Sequence, residues 1–174
     1  KKIIKINIKI FFIYIIKKMK YLNKDSKIKG FQVKWNNNNI FPIYKEISGS
    51  HVSQKRINRA KNIVIKILTI ERVKIDKAFK TLINRKYKDK NIIIKYYYYS
   101  TLERVKNTKL AKESDYIDAE TDDNIIWVCK NKLSDAHLIG AILHESLHYL
   151  ARFNNKEICE KDEHYVMELL GEKL

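Results

Sequence analysis

The spacing of apolar residues along the chain predicts four helices. Apolar side chains recur every three or four positions over about 57–68 and 71–87, and again over 138–150 and 158–170. This spacing places them on one face of a helix, with the intervening lysines and arginines on the solvent side. Two helices are therefore predicted in the first half of the chain and two at its end.

The segment between these helix pairs shows a strand pattern instead. Residues 91–100 (NIIIKYYYYS) are rich in β-branched and aromatic side chains, which favour strands. Residues 103–114 indicate a polar loop. Strands are then predicted at Tyr116–Ala119 and Ile125–Cys129, joined by a turn through 121–124. Two helices, a small sheet and two more helices make one α+β domain.

Polar residues mark the limits of the last two helices. Ser134 is a favourable N-cap, and Asp135 places a negative charge in the first turn. The polar residues 154–157 (NNKE) predict the end of that helix, and the final helix is predicted at about 157–170. Residues 23–50, which include the only proline, predict irregular structure or short strands.

The N-terminal segment has two interpretations. Residues 1–20 have a basic start, an apolar run and a basic end, which is the outline of a signal peptide or membrane anchor. The apolar run is shorter than the ~20 residues that a membrane helix needs. Its alternation of isoleucine with lysine or asparagine also fits a strand. We therefore divide the chain into this segment, 1–22, and a domain, 23–174, and expect secretion or membrane association only if the segment acts in targeting.

Charge is distributed unevenly along the chain. Residues 1–112 carry 30 basic and 6 acidic side chains, a net +24, whereas residues 113–174 carry 6 basic and 14 acidic ones, a net −8. A basic region of this kind is one feature of proteins that bind nucleic acid or anionic membranes. The lysines are scattered and no recognition motif accompanies them, so nucleic acid is an alternative partner and not the favoured one.

The two cysteines, Cys129 and Cys159, stand thirty residues apart and form no CxxC pair. Two interpretations are open: they form a disulfide, or they are small buried side chains.

The stretch AILHESLHYLARF, residues 141–153, carries the most specific chemistry. His144 and His148 are four apart, so both project from one face of the predicted helix and can reach one Zn²⁺ ion. Glu145 is rotated by about 100° from His144, within reach of a water on that ion. Zinc lowers the pKa of its bound water to about 7, and Glu145 would take the proton as general base and pass it to the leaving amine.

The third zinc ligand is less well defined. The extended pattern HExxHxxGxxH is absent, so the ligand is expected on the final helix. Its core side is marked by Cys159, Val166 and Leu170, and Glu163 lies on that side. Glu163 is thus the predicted metal ligand, with Glu160 and His164 as alternatives.

The HESLH motif, the strand segment before it and the acid-bearing helix after it resemble the compact zincin metallopeptidases. The closest layouts are those of the minimal gluzincins and the SprT-like peptidases, and the resemblance covers about residues 91–170. It implies a zincin-like domain in which an edge strand beside the cleft binds an extended peptide by adding it to the sheet. Ile125–Cys129 would be that strand. Gluzincins use a glutamate as third ligand, whereas SprT-like proteins use a histidine.

The expected function is therefore a zinc-dependent metallopeptidase that hydrolyses peptide bonds through a zinc-bound water activated by Glu145. Its partner would be a peptide or protein substrate. Two alternatives stay open. One is a basic nucleic-acid-associated protein, including a SprT-like protease acting on DNA-bound proteins. The other is a zincin-like protein without catalytic activity.

Overall fold

A computed structural model describes the following parts of the chain: residues 27–28, 31–36, 39–43, 49–87, 107–110, 118–122, 125–154 and 158–172. The N-terminal segment 1–22 and the strand predicted at 91–100 lie outside these residues.

Four helices occur in the described residues, close to their predicted positions. They are α1 (Gln54–Ile70), α2 (Arg72–Lys86), α3 (Asp135–Asn154) and α4 (Glu160–Leu169). The predicted cap of α3 is confirmed, since the Ser134 hydroxyl oxygen accepts a hydrogen bond from the backbone N–H of His137 at 3.1 Å.

Three short antiparallel strand pairs occur among the described residues. They are β1 (Lys27–Ile28) with β2 (Phe31–Gln32), β3 (Lys34–Trp35) with β4 (Pro42–Ile43), and β5 (Ser50–His51) with β9 (Lys132–Leu133). The β5–β9 pair joins the segment before α1 to the segment before α3. This agrees with the irregular or short-strand structure predicted for residues 23–50.

A three-stranded sheet lies against α3. It consists of β6 (Asn107–Leu110), β7 (Ala119–Asp122) and β8 (Ile125–Val128), in the order β6–β8–β7. β8 pairs parallel with β6 and antiparallel with β7. The prediction that Ile125–Cys129 is the edge strand is wrong, because β8 is the central strand and β7 has a neighbour on one side only among the described strands.

Two further strand predictions are corrected. The first strand of the hairpin begins at Ala119 and does not end there, and the segment predicted as a polar loop contains β6. The alternation of polar and apolar residues is weak in both places, and pairing with the apolar β8 determines the strand positions instead.

The core lies between α1, α2, α3 and the sheet. Its largest fully buried side chains are isoleucines and leucines from these elements and from the segment before β4: Ile40, Ile57, Ile67, Leu68, Ile75, Leu82, Ile126, Leu138, Ile139, Ile142 and Leu143. α4 packs against both α2 and α3. The described chain is a small α+β fold, and within it no helix has the length and apolarity to cross a membrane. Neither cysteine is in a disulfide; Cys129 is buried and Cys159 is exposed.

Candidate metal centre

His144 and His148 lie one turn apart on α3, as their spacing predicts. Their Nε2 atoms face each other at 2.9 Å. His148 is buried and His144 is half-buried. The helix alone brings these two nitrogens together.

A carboxylate holds the other nitrogen of each ring. Nδ1 of His144 lies 2.9 Å from both carboxylate oxygens of Glu172. Nδ1 of His148 is hydrogen-bonded to Oε2 of Glu163. Both glutamates are buried. An ionised carboxylate only accepts hydrogen bonds, so both Nδ1 atoms carry a proton.

This assignment leaves the facing Nε2 atoms of His144 and His148 without protons in the neutral rings. Two lone pairs at 2.9 Å repel each other unless a cation lies between or beside them. In metal sites, a ligating histidine typically donates the N–H of its second ring nitrogen to a carboxylate. This hydrogen bond fixes the ring and leaves Nε2 for the ion. The pair therefore has the hydrogen bonding of two metal ligands.

His164 on α4 completes the group. Its ring centroid lies 5.3 Å from that of His144 and 4.9 Å from that of His148. The ligand atoms of the three residues all lie within 4.8 Å of one another. A tetrahedral zinc with bonds of about 2.0–2.1 Å needs nitrogens about 3.3 Å apart. The group is thus close to the size of a three-histidine zinc site.

The structure places Glu163 differently from the predicted ligand position. Its carboxylate bonds the Nδ1 side of His148, away from the facing Nε2 atoms. His164, one of the two alternatives, lies beside those atoms. Glu160, the other alternative, is exposed in the first turn of α4.

The position of the core face explains this difference. The buried residues of α4 are Asp162, Glu163, Val166 and Met167, and Cys159 precedes the helix and is exposed. Glu163 lies on the buried face, where it reaches the back of His148. His164 is half-buried, at the edge of this face. The prediction that Glu163 lies on the core side is therefore confirmed, but His164, one of the two alternatives, is the residue whose ring lies beside the facing Nε2 atoms.

Glu172 was not predicted, although a glycine signal precedes it. Gly171 has φ = 91°, and the backbone N–H groups of Gly171 and Glu172 bond the carbonyls of Glu168 and Met167. This is a Schellman motif, which ends a helix and reverses the chain. The reversal brings Glu172 onto His144. A Cβ at position 171 would also lie 2.2 Å from Asn39 Cγ, so glycine is required there.

The environment of His144 shifts its proton affinity. Burial lowers the pKa of the imidazole, but the hydrogen bond and charge of Glu172, together with the charges of Glu145 and Glu160, outweigh this effect. The net pKa of His144 is raised. The site is therefore electronegative and favours a bound cation.

Glu145, the predicted general base, is half-buried beside the two histidines. One of its carboxylate oxygens, Oε2, accepts a hydrogen bond of 2.6 Å from the hydroxyl of Thr121 on β7. Glu145 is not part of the three-histidine group. Its charge acts on His144, but its carboxylate is not among the ligand atoms of the group.

Asp162 fixes α4, and with it His164, against the end of α2. Its carboxylate accepts hydrogen bonds from the Lys86 ammonium and, at 2.5 Å, from the Tyr87 hydroxyl. Burial would raise the pKa of Asp162, but these bonds, one from Cys159 and the charge of Lys86 lower it overall. The bond to Asp162 also raises the pKa of Tyr87 to about 12.

The variant Asp162→Asn is expected to lower the free energy of unfolding of the metal-free protein by about 2 kcal/mol at pH 7, the scale of hydrogen bonds to a charged group. Because the folded pKa is lowered, this contribution is complete above the unfolded pKa of about 3.9 and is lost as the pH falls through the folded value. Urea unfolding in EDTA at pH 7 and at a series of values down to about pH 2 measures it.

The matched control is Glu168→Gln, since Glu168 is exposed on the same helix. Its effect is expected to stay within about 0.5 kcal/mol. Equal effects of the two variants at pH 7 would contradict the anchoring role of Asp162.

A cleft of about 600 Å³ lies beside the three-histidine group, between α2 and α4. Its lining includes Arg85 and Lys86 from α2 and Glu160, His164 and Tyr165 from α4. Arg85 donates a hydrogen bond of 3.1 Å to the Tyr165 hydroxyl across it. One side of the histidine group is therefore next to a space that a ligand can enter.

Comparisons with known proteins give no relative on which to base a family assignment. The chain matches no family model, no curated protein and no solved structure.

Proposed function

We propose that the protein is a zinc-dependent metallopeptidase of the HExxH type, with zinc held by His144, His148 and His164. The observation that carries the proposal is the pair of facing Nε2 atoms, 2.9 Å apart, with both Nδ1 atoms held by buried carboxylates. Neutral rings with protonated Nδ1 atoms present two lone pairs to each other, and a cation bound beside them removes this repulsion.

The donor set fits zinc. Neutral imidazole nitrogens are common zinc ligands, and three protein ligands leave a fourth position open, as catalytic zinc sites require. Glu172 and Glu163 orient two of the rings and increase their basicity. Zinc bound there would act as a Lewis acid and lower the pKa of a water molecule to about 7.

Glu145 supplies the proton transfer. Its carboxylate is close enough for its charge to act on His144, and it accepts a hydrogen bond from Thr121. It takes a proton from the attacking water and gives it to the leaving amine, which a single carboxylate does in two successive steps. Peptide hydrolysis needs no further cofactor in this scheme.

The three proposed histidine ligands distinguish between the two zincin layouts that the sequence resembles. A third histidine corresponds to the SprT-like layout, whereas the gluzincin layout uses a glutamate. His164 therefore favours a SprT-like arrangement of ligands in a zincin-like domain. β7 is the strand beside Glu145, and in such a domain it takes the edge-strand role first assigned to Ile125–Cys129.

The purified protein is expected to contain about one zinc per chain by elemental analysis. It should hydrolyse fluorescein-labelled casein, lose this activity in 1,10-phenanthroline and recover it with added zinc. The control is His137→Ala, since His137 lies on α3 outside the three-histidine group and pairs with Asp118. This variant should keep its zinc. A protein that binds no zinc after reconstitution would refute the proposal.

A second candidate is nucleic-acid binding by α1 and α2. Their exposed surface carries nine basic side chains: Lys55, Arg59, Lys66, Arg72, Lys74, Lys77, Lys80, Arg85 and Lys86. The acidic residues on these helices and at the junction between them are Glu71 and Asp76. A surface of this sign attracts phosphate backbones.

Binding of a fluorescent 20-base-pair DNA, measured by anisotropy at 50 and 200 mM salt, tests this candidate. Phosphate contacts would make the affinity fall at least tenfold over this range. The triple variant Lys74→Gln, Lys77→Gln, Lys80→Gln should weaken binding further. The absence of binding at 50 mM salt would exclude it.

A further inference from the structure

The hydroxyl of Thr121 is directed at the carboxylate of Glu145. Thr121 is 7% exposed, in β7. Its Oγ1 lies 2.6 Å from Oε2 of Glu145 and 3.0 Å from the Glu145 backbone carbonyl oxygen. A distance of 2.6 Å is typical of a hydroxyl that donates to an ionised carboxylate, which is the stronger of the two acceptors.

We propose that Thr121 is a positioning residue for Glu145 in the hydrolytic reaction. The inference rests on the proposed function, in which Glu145 is the general base. Thr121 touches neither of the bonds that change; it acts by fixing the carboxylate that transfers the proton.

The strand that carries Thr121 is itself fixed relative to the histidines. Nη1 of Arg152 donates a hydrogen bond of 3.3 Å to the Thr121 backbone carbonyl, and its Nε lies 3.6 Å from Oε1 of Glu163. Glu163 in turn holds His148. Arg152 on α3 thus links the backbone of Thr121 to Glu163, the residue that holds His148.

The hydrogen bond from Thr121 restricts the conformation of the half-buried Glu145 side chain. A glutamate side chain has three rotatable bonds, and fixing it in one conformer costs rotamer entropy during the reaction unless the conformer is already set. The bond to Thr121 occupies Oε2, so proton transfer is assigned to Oε1. Preorganisation of this kind increases kcat and has little effect on KM, because the Thr121 hydroxyl is bonded to Glu145, whereas a peptide added to β7 would pair with its backbone.

The test compares Thr121→Val with Thr121→Ser in the full-length zinc-loaded protein, with fluorescein-labelled casein as substrate. Valine has nearly the same shape and lacks the hydroxyl, whereas serine keeps it. Thr121→Val is expected to lower kcat about tenfold. KM, zinc content and melting temperature should stay near the wild-type values, and Thr121→Ser should stay within about threefold of the wild-type kcat.

The outcomes separate the two proposals. Equal kcat for the wild type and Thr121→Val would refute the positioning role while leaving the peptidase intact. Equal losses for the valine and serine variants, with a lower melting temperature, would show that Thr121 acts through packing and would also refute it. A zinc-loaded wild type that does not hydrolyse casein, by contrast, would remove the proposed activity on which the inference rests.

Discussion

The variant His164→Ala is expected to bind zinc several-hundredfold more weakly than the wild-type protein. Zinc sites with four protein ligands bind with about 10–16 kcal/mol, or roughly 2.5–4 kcal/mol per ligand, and a loss of about 3.5 kcal/mol corresponds to several-hundredfold in affinity. His164 is half-buried at the edge of α4, and its loss leaves the helix contacts of the buried face in place. Competition with a fluorescent zinc chelator measures the change.

The companion variant Glu163→Gln separates a ligand from a residue that orients a ligand. Glu163 holds the Nδ1 side of His148, and such outer partners contribute about 10–100-fold to metal affinity. We therefore expect Glu163→Gln to bind zinc more tightly than His164→Ala. The reverse order would return the ligand role to Glu163 and contradict the three-histidine site. Circular dichroism of both metal-free variants checks that they fold.

The second large effect is expected for Glu145→Gln, which should lower kcat for casein hydrolysis about a thousandfold. General base catalysis contributes roughly 10²–10⁴-fold, and glutamine has the size of glutamate without its basicity. The Thr121 hydroxyl can still donate to the amide oxygen, so the side chain keeps its position. Zinc content should be unchanged, since Glu145 is outside the three-histidine group.

Glu160→Gln is the matched control for Glu145→Gln. It removes one negative charge near the histidines from an exposed position on α4. Its kcat is expected to stay within about threefold of the wild-type value. If Glu160→Gln and Glu145→Gln lose activity equally, the effect is one of general charge, and the general-base role of Glu145 is wrong.

Local sequence patterns were sufficient for the helices and for two of the three proposed ligands. The apolar spacing and the Ser134 cap define α3, and a helix necessarily brings His144 and His148 together. These are effects within one turn of one element, so no tertiary information is needed. The glycine that ends α4, Gly171, is also a local signal, but the contact of Glu172 with His144 that follows from it was not predicted.

Strand order could not be obtained in this way. β8 is apolar enough to be recognised as a strand, but its central place depends on pairing with β6, whose partner residues lie 18 positions earlier in the chain. A strand with polar neighbours on both sides carries no local signal of being at the edge or in the centre. The edge-strand assignment therefore went to the wrong strand of the hairpin.

The sequence by itself determined the α+β class, the four helices and the juxtaposition of His144, Glu145 and His148, because these follow from periodicity and turn geometry. The tertiary structure decided which residues complete the group. The rotation of α4 places His164 beside the Nε2 atoms and Glu163 behind His148, and the turn at Gly171 brings Glu172 onto His144. These placements depend on how α4 packs against α2 and α3, through contacts such as that of Asp162 with Lys86.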